Sequence, residues 1–193
     1  VGGIRPGELL GTPGTSSDVA KNFRTTPSGI NTATGNYSET RTDISNPAGL
    51  GIALKVERTY NSTDDQESPF GTGWAWNLGA RLEVSDPDVA VTARLEDGTQ
   101  VEFYALGGGA YSGAAGTRSK LESIGSPITS YVLTRRDNST LTFDADGRLV
   151  SHLDKNGFGV ELTYSGSDTF PATASDEAGH EYTFTYDGSD MIE

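Results

Sequence analysis

The sequence predicts an all-β protein, an elongated and open strip of antiparallel hairpins with an irregular N-terminal arm. The first observation is a repeat in the last third of the chain, where an aromatic residue recurs as Phe143, Tyr164 and Tyr186 at spacings of 21 and 22 residues. The second is composition, because 25 glycines and 8 prolines are typical of a turn-dense chain, and no helical pattern of useful length occurs. A fixed period indicates stacked units, none of which can bury its apolar face alone.

Each repeat unit predicts two strands separated by tight turns. Asp154 precedes Gly157 by three residues, as Asp176 precedes Gly179. Glycine near aspartate or asparagine supplies the positive φ that such turns require. Every second residue between the turns is large, which places one face of each strand on a core. The alternating residues are Phe158, Val160, Leu162, Tyr164, His180, Tyr182, Phe184 and Tyr186. We therefore expect His180, like Phe158, to face the core.

Further strands are predicted upstream of the repeat. The alternation of apolar residues indicates strands over 52–60 and, most strongly, over 74–84. A hairpin over 89–103 turns at Asp97-Gly98, and a similar turn at Asp137-Asn138 follows 40 residues later. Between these hairpins the Gly/Ala/Ser-rich segment 107–116 predicts an irregular loop. It lacks the Gly-Lys-Ser/Thr ending of a phosphate-binding loop, so we do not predict nucleotide binding.

The repeat resembles the RHS or YD-repeat family. The family pattern runs from an aromatic residue through Asp/Asn-x-x-Gly-Arg-Leu to Asp-x-x-Gly and a strand that ends in Thr-Tyr. The residues that carry it here are Phe143, Gly147, Arg148, Leu149, Asp154, Gly157, Tyr164, Asp176, Gly179, Tyr186 and Gly188. The second unit departs from the pattern, because residues 165–171 lack the Gly-Arg-Leu step. Pro171 removes a ladder donor, so we expect an edge or bulged strand there.

An upstream block adds to the resemblance. Residues 30–37, 56–62 and 70–74 are similar to the segment that opens RHS shells ahead of the repeats. We therefore divide the chain into an extended arm or linker over 1–29, a shell-opening β segment over 30–135 and YD/RHS-type hairpin repeats over 136–193.

The resemblance implies a non-catalytic structural module. It implies the start of a β shell that encapsulates a C-terminal cargo, often a toxin, in a large secreted or surface-delivered bacterial protein. Its partners would be the remaining RHS repeats, the encapsulated domain, and secretion or injection machinery or a cell-surface glycan. It implies no cofactor. The alternative is an extracellular carbohydrate-binding or adhesive β-module, in which Trp74 or Trp76 stacks on a glycan; their register with four further apolar residues favours the core instead.

Charge and residue inventory disfavour other classes of function. With 27 acidic and 14 basic residues, the net charge of −13 repels a nucleic-acid backbone. Without cysteine there is no disulfide, thiolate metal site or Cys nucleophile. No apolar run approaches the ~18 residues that span a bilayer. The two histidines lack metal-ligand spacing, and Asp144-Ala145-Asp146-Gly147 lacks the glutamate that completes a calcium loop. A hydrolase that uses a carboxylate pair is the least favoured alternative, so we expect no enzyme.

Overall fold

The computed structural model describes residues 29–31, 34–46, 51–114, 116–188 and 190–191. The described residues form β-strands, turns and irregular segments and contain no helix, which confirms the prediction of an all-β fold. Nothing in them could cross a membrane as a helix. Except for Gly29, the arm expected over 1–29 lies outside the described residues.

A small antiparallel sheet comes first in the chain. Its strands are β1 (Ser38–Ser45), β2 (Lys55–Asn61) and β3 (Trp74–Trp76), in that spatial order. A bulge lies in β1 between Thr42 and Ile44. Most of β1 is exposed, whereas Ala75 and Trp76 of β3 are buried. The edge strand β3 therefore faces the core, and the opposite edge strand β1 faces solvent.

The second sheet is an open meander of eleven strands, in which chain neighbours are also spatial neighbours. Its strands are β4 (Arg81–Asp86), β5 (Ala90–Arg94), β6 (Gln100–Gly107), β7 (Ala110–Gly113), β8 (Lys120–Ile124), β9 (Ser130–Thr134), β10 (Thr140–Asp144), β11 (Leu149–Leu153), β12 (Gly159–Thr163), β13 (Thr173–Asp176) and β14 (Glu181–Thr183). A two-stranded ribbon, β15 (Tyr186–Asp187) and β16 (Asp190–Met191), follows it. The predicted strip of antiparallel hairpins is thus confirmed. The division expected at 135–136 lies in the turn between β9 and β10, which are paired in this one sheet.

The core lies on one face of the strip and is shared with the first sheet. Each strand from β9 to β13 contributes buried residues, and Leu54, Val56 and Trp76 of the first segment join the same cluster. The residues of the strip with at most 1% of their surface exposed are Val91, Ala93, Phe103, Leu121, Leu133, Leu141, Phe143, Leu149, Val160 and Ala174. One continuous core therefore joins the two sheets.

The strip curls, so that its first strand meets a turn in its later half. The backbone N–H of Leu82 in β4 donates to the carbonyl oxygen of Gly147, at 2.8 Å, and Arg81 and Arg148 form an isolated bridge. The right-handed twist of neighbouring strands accumulates along a meander and favours such curling. β4 and β14 remain the two edges of the sheet.

A matched pair of glycine variants tests this closure. Gly147 and Gly157 have φ of 84° and 85°, but a Cβ at Gly147 would lie 2.3 Å from the carbonyl oxygen of Leu82, whereas one at Gly157 meets nothing within 4 Å. Gly157→Ala should lower the free energy of unfolding by about 1 kcal/mol, the cost of a left-handed alanine. Gly147→Ala should cost about 2 kcal/mol more, because β4 must move away and lose its hydrogen bond. Urea denaturation measures both values, and equal losses would contradict the closure.

The strand predicted over 74–84 is wrong in one respect, since two strands in different sheets replace it. β3 ends at Trp76, and residues 77–80 form a corner before β4 begins. Asn77 fixes the corner on β2, because its side chain donates to the carbonyl of Lys55 at 2.9 Å and accepts the N–H of Glu57 at 2.8 Å. Leu78 and Ala80 are buried in the corner, as they would be in a strand. The alternation of apolar residues therefore continues through the corner although the strand does not.

Three other local predictions are also corrected. The segment 107–116 is not wholly irregular, because β7 lies within it and places Tyr111 in the core. The strand near Pro171 is not an edge strand, since β13 begins two residues later and pairs with both β12 and β14. His180 does not face the core; it is exposed, and Phe158, its counterpart, is 37% exposed. Both residues lie where a turn opens into a strand, at the rim of the strip.

Candidate functional site

The three Asp-x-x-Gly turns of the repeats share one hydrogen-bond pattern. In each turn one carboxylate oxygen of the aspartate accepts the backbone N–H groups two and four residues later, at 2.8–3.0 Å. Each glycine has a φ of 84–85°. The aspartates are Asp144, Asp154 and Asp176, and the glycines are Gly147, Gly157 and Gly179. In Asp154 the bond from the N–H of Phe158 is the main cause of a lowered pKa. These residues are therefore turn formers.

Two earlier turns have the same backbone pattern with the aspartate moved by two positions. Asp97 accepts the N–H of Thr99 at 2.9 Å, and Asp137 accepts the N–H of Ser139 at 3.0 Å. Asn138 takes the glycine position of its turn with φ 63°. The strand registers also correspond, since Val91 pairs with Phe103 as Tyr131 pairs with Phe143, 40 residues later. The echo found in the sequence is therefore a repeated hairpin.

The tyrosines at the ends of the repeat strands make equivalent contacts. The hydroxyl of Tyr164 donates to the carbonyl of Leu149, and that of Tyr186 to the carbonyl of Pro171, both over 15 residues and at 2.8 Å. Burial is the main cause of the raised pKa of both phenols. Each tyrosine follows the second strand of its unit, β12 or β14, and thus bonds to the chain at or just before the start of the preceding strand, β11 or β13.

In the second unit, other residues occupy the places of the arginine and leucine that the family pattern would have there. The guanidinium of Arg148 lies 4.9 Å from the ring centroid of Tyr164. Phe170 takes the equivalent place in the next unit and stacks on Tyr186, with ring centroids 5.7 Å apart. Pro171, which is buried, replaces the core residue Leu149 and supplies the same carbonyl acceptor. Phe170 and Pro171 therefore replace the Arg-Leu pair.

The hydroxyl and the ring of Tyr164 contribute separately to stability. Tyr164→Phe should lower the free energy of unfolding by about 1 kcal/mol, because the carbonyl of Leu149 loses its donor. Tyr164→Ala should cost roughly 3 kcal/mol, because the half-buried ring is also lost. Thermal and urea denaturation measure both, with Tyr186→Phe as the matched variant of the next unit. A Tyr164→Phe variant as stable as the parent would show that the repeated hydrogen bond is energetically irrelevant.

The remaining predicted repeat residues are structural in position. Phe143 and Leu149 are fully buried, and Gly188 has φ 63° at the turn of the β15–β16 ribbon. Arg148 pairs through its Nε with Asp144 at 2.7 Å and donates to the carbonyl of Gly166 at 2.8 Å. Arg148 therefore holds the turn of its own unit to the turn of the next.

The three upstream segments of the resemblance meet at a buried asparagine pair. The side-chain amide of Asn36 donates to the side-chain oxygen of Asn61 at 2.9 Å, and that of Asn61 donates to the carbonyl of Asp97 at 2.8 Å. Both asparagines are at most 1% exposed. The N–H of Asn61 also donates to the carbonyl of Gly73 at 2.8 Å. The segments thus fasten the first sheet to the β5–β6 turn, a role that the sequence analysis did not assign.

The tryptophans do not present a free pair of rings to a glycan. Trp76 is 2% exposed and is packed edge-on against Phe70 and Phe184, at centroid distances of 5.6 and 5.5 Å. Trp74 is half-buried, with the guanidinium of Arg58 4.8 Å from its ring centroid. In this structure Trp76 has no face left for a sugar, which removes half of the alternative stacking site.

A buried ion pair that the sequence analysis missed joins the loop before β3 to the strip. Arg94 of β5 donates to both carboxylate oxygens of Asp64, at 3.1 and 2.5 Å. The side chains are 3% and 1% exposed. In a buried bidentate ion pair each charge depends on the other, because removing one residue would leave the other charge buried without a partner, which is costly. The only hint in the sequence was Arg94 on an otherwise apolar strand.

A second polar cluster connects two turns of the strip with strand β11. Arg135 pairs with Glu96 and also donates to Nε2 of His152 at 3.3 Å, while Nδ1 of His152 lies 3.6 Å from Glu96. Burial is the largest single influence on the pKa of Glu96 and would raise it, but the other influences together, first among them the charge of Arg135, outweigh burial and the pKa is lowered. Burial lowers the pKa of His152, in keeping with a neutral ring that accepts from Arg135. The cluster holds hairpins together.

Two pairs of closely spaced aspartates, Asp144/Asp146 and Asp86/Asp88, lie at turns. Asp144 and Asp146 both contact Arg148, at 2.7 and 3.7 Å. Asp86 accepts the N–H of Asp88 at 3.0 Å within a turn. His180 pairs with Asp176 at 2.8 Å. Across the described ranges no group of three or more His, Asp or Glu side chains could hold a metal ion.

A family model and several bacterial proteins each match part of this chain. The model of a domain of unknown function, DUF6531, matches residues 28–103, which include the first sheet and the first hairpin of the strip. The chain is 31% identical over 141 residues to the tRNA nuclease WapA of Bacillus subtilis (strain 168) and to the tRNA(Glu)-specific nuclease WapA of Bacillus subtilis subsp. natto. It is equally similar to the tRNA3(Ser)-specific nuclease WapA of Bacillus spizizenii. The match covers 72% of this chain but 6% of the length of each relative.

Proposed function

We propose that this chain is the opening segment of an RHS-type β shell and contributes wall rather than chemistry. The shell would enclose a C-terminal cargo, often a toxin, in a large secreted or surface-delivered bacterial protein. The observation that carries the proposal is the strip itself. Successive hairpins pair edge to edge with repeated contacts, and the outer edge of β14 remains unpaired within the described residues. Such a strip can be continued by further copies.

The first sheet supports a position at the start of the shell. It packs on the apolar face of the strip, with Trp76 against Phe184 and Leu54 in the shared core. If the strip continued from β14, the first sheet would already cover the apolar inner face at the end where the strip begins. The first sheet would close this end of the enclosed space.

The relatives support a role that does not depend on the nuclease reaction. Two of these relatives are named for different substrates, tRNA(Glu) and tRNA3(Ser), yet this chain aligns with all three at 31% identity over 6% of their length. The degree of similarity to this chain therefore does not depend on which tRNA the relative is named for. A net charge of −13 also opposes tRNA binding by the segment itself. We infer that the segment is not an enzyme and needs no cofactor.

Electron cryomicroscopy of the full-length parent protein tests the proposal. We expect a further strand hydrogen-bonded to the outer edge of Glu181–Thr183, continuing the meander around an enclosed domain. A parent protein in which that edge faces solvent, or in which the strip surrounds nothing, would refute the shell.

An activity assay tests the non-catalytic part separately. The purified 193-residue chain, incubated with total tRNA, should leave the tRNA intact over the time in which a WapA nuclease degrades it. Specific cleavage that survives repurification would overturn this part of the proposal.

A further inference from the structure

The second repeat unit contains an open groove of about 600 Å³ next to the edge of the strip. Its lining includes the aromatic residues Phe170, Phe184 and Tyr186 and the acidic residue Asp168. Phe184 is the last core residue of the strip, and its ring packs on Trp76 from the other side. The groove therefore joins the core to the surface.

The equivalent place in the first unit is filled by this chain itself. Residues 22 positions earlier than Thr169, Phe170 and Tyr186 are Gly147, Arg148 and Tyr164. There, Leu82 of β4 bonds to Gly147, and the corner 78–81 meets Arg148 and Tyr164 around a gap of only about 10 Å³. An extended segment thus occupies the first groove, and none of the described segments occupies the second.

Two substitutions between the units define what the second groove would accept. Phe170 replaces Arg148, so the groove loses a positive charge and gains an aromatic wall. The carboxylate of Asp168 has no ion-pair partner among the described residues; Arg148 donates to the backbone carbonyl of Asp168 instead, at 3.3 Å. Thr169 replaces Gly147, whose added Cβ would lie 2.3 Å from the oxygen of Leu82. An occupant must therefore lie farther out than β4 does, and it has room for larger side chains.

We propose that the second groove binds an extended peptide segment that carries an apolar side chain flanked by a basic residue. The apolar side chain contacts Phe170, Phe184 and Tyr186, and the basic residue pairs with Asp168. The backbone of the segment runs along the turn in the direction that β4 takes at Gly147, but farther from the turn than β4. This inference depends on the equivalence of the two units and does not require a shell or a cargo.

A peptide titration of the full chain tests the groove. The probe is the capped hexapeptide Gly-Ala-Arg-Leu-Lys-Val, which copies residues 79–84 with Glu83→Lys. Amide NMR signals of Phe170, Tyr186 and Gly188 should shift saturably, with a dissociation constant of about 1 mM or tighter. A peptide with Arg81→Glu should bind at least about 5-fold more weakly, because it faces Asp168 with like charge. A peptide with Leu82→Asp should not bind.

Two protein variants complete the test. Ala172→Phe fills the groove and should abolish binding, and Asp168→Asn should weaken binding of the basic peptide without changing the fold seen in the amide spectrum. Absence of saturable shifts up to about 5 mM peptide would overturn the proposal. Shifts centred on Leu82 and Gly147 would overturn it as well, because the peptide would then be replacing β4. If the parent structure instead lacked a continued strip while the peptide bound here, only the shell proposal would fail.

Discussion

Trp76→Ala should lower the free energy of unfolding by about 4 kcal/mol, the range found for a large buried aromatic residue. Trp76 is 2% exposed and contacts Phe70, in the loop before β3, and Phe184, the residue after β14. Its removal leaves a cavity between the first sheet and the repeats. Urea denaturation measures the loss, and Val89→Ala, at a residue that is 61% exposed, is the control with an expected effect below about 0.5 kcal/mol.

The pairing of Trp76 with Phe184 can be isolated by a double-mutant cycle. Trp76→Ala and Phe184→Ala together should cost about 1 kcal/mol less than the sum of the two single losses, because the edge-on aromatic contact is removed by either change. Additive losses, or a Trp76→Ala variant within 1 kcal/mol of the parent by the same assay, would mean that the first sheet does not rest on the strip.

Asp64→Ala should cost about 3–5 kcal/mol, because Arg94 would remain buried without its carboxylate. The more informative comparison is the double variant Asp64→Leu/Arg94→Met, which removes both charges and should lose less than Asp64→Ala alone. Glu57→Ala, which breaks the more exposed pair with Lys55, should change stability by well under 1 kcal/mol. An Asp64→Ala loss no larger than that of Glu57→Ala would show that the pair is not shielded from water.

The strip could be predicted because its determinants are local. Asp-x-x-Gly turns fix the reversals between β10 and β11, β11 and β12, and β13 and β14 through hydrogen bonds within five residues. Alternation then decides which face of the next strand is buried. The period of 21–22 residues follows from repeating that device. The repeat residues Tyr164 and Tyr186 were correctly singled out, although their shared bond to a carbonyl 15 residues earlier appears only in three dimensions.

The docking of the first sheet could not be predicted, because it depends on pairs without a local pattern. Asn36 and Asn61 are 25 residues apart, and Asp64 and Arg94 are 30 apart. The single strand predicted over 74–84 was wrong for a related reason. Its apolar residues alternate without a break, although they are buried in two different sheets on either side of a corner. Gly79 was the residue in the sequence that indicated the corner. Only glycine fits there, because a Cβ would lie 2.1 Å from Nε1 of Trp76. His180 was misplaced because its N–H is held by Asp176 within the turn.

Hydrogen exchange of the monomeric chain tests most directly whether each unit is stabilised by its neighbours. The aligned core residues Leu141, Leu162 and Phe184 are 0%, 5% and 8% exposed, and the last strand has one neighbour in the sheet. Protection of the backbone amides should therefore fall from β10 through β12 to β14, with Tyr182–Tyr186 exchanging fastest among the repeat strands. Uniform protection across β10, β12 and β14 in the monomer would contradict the account.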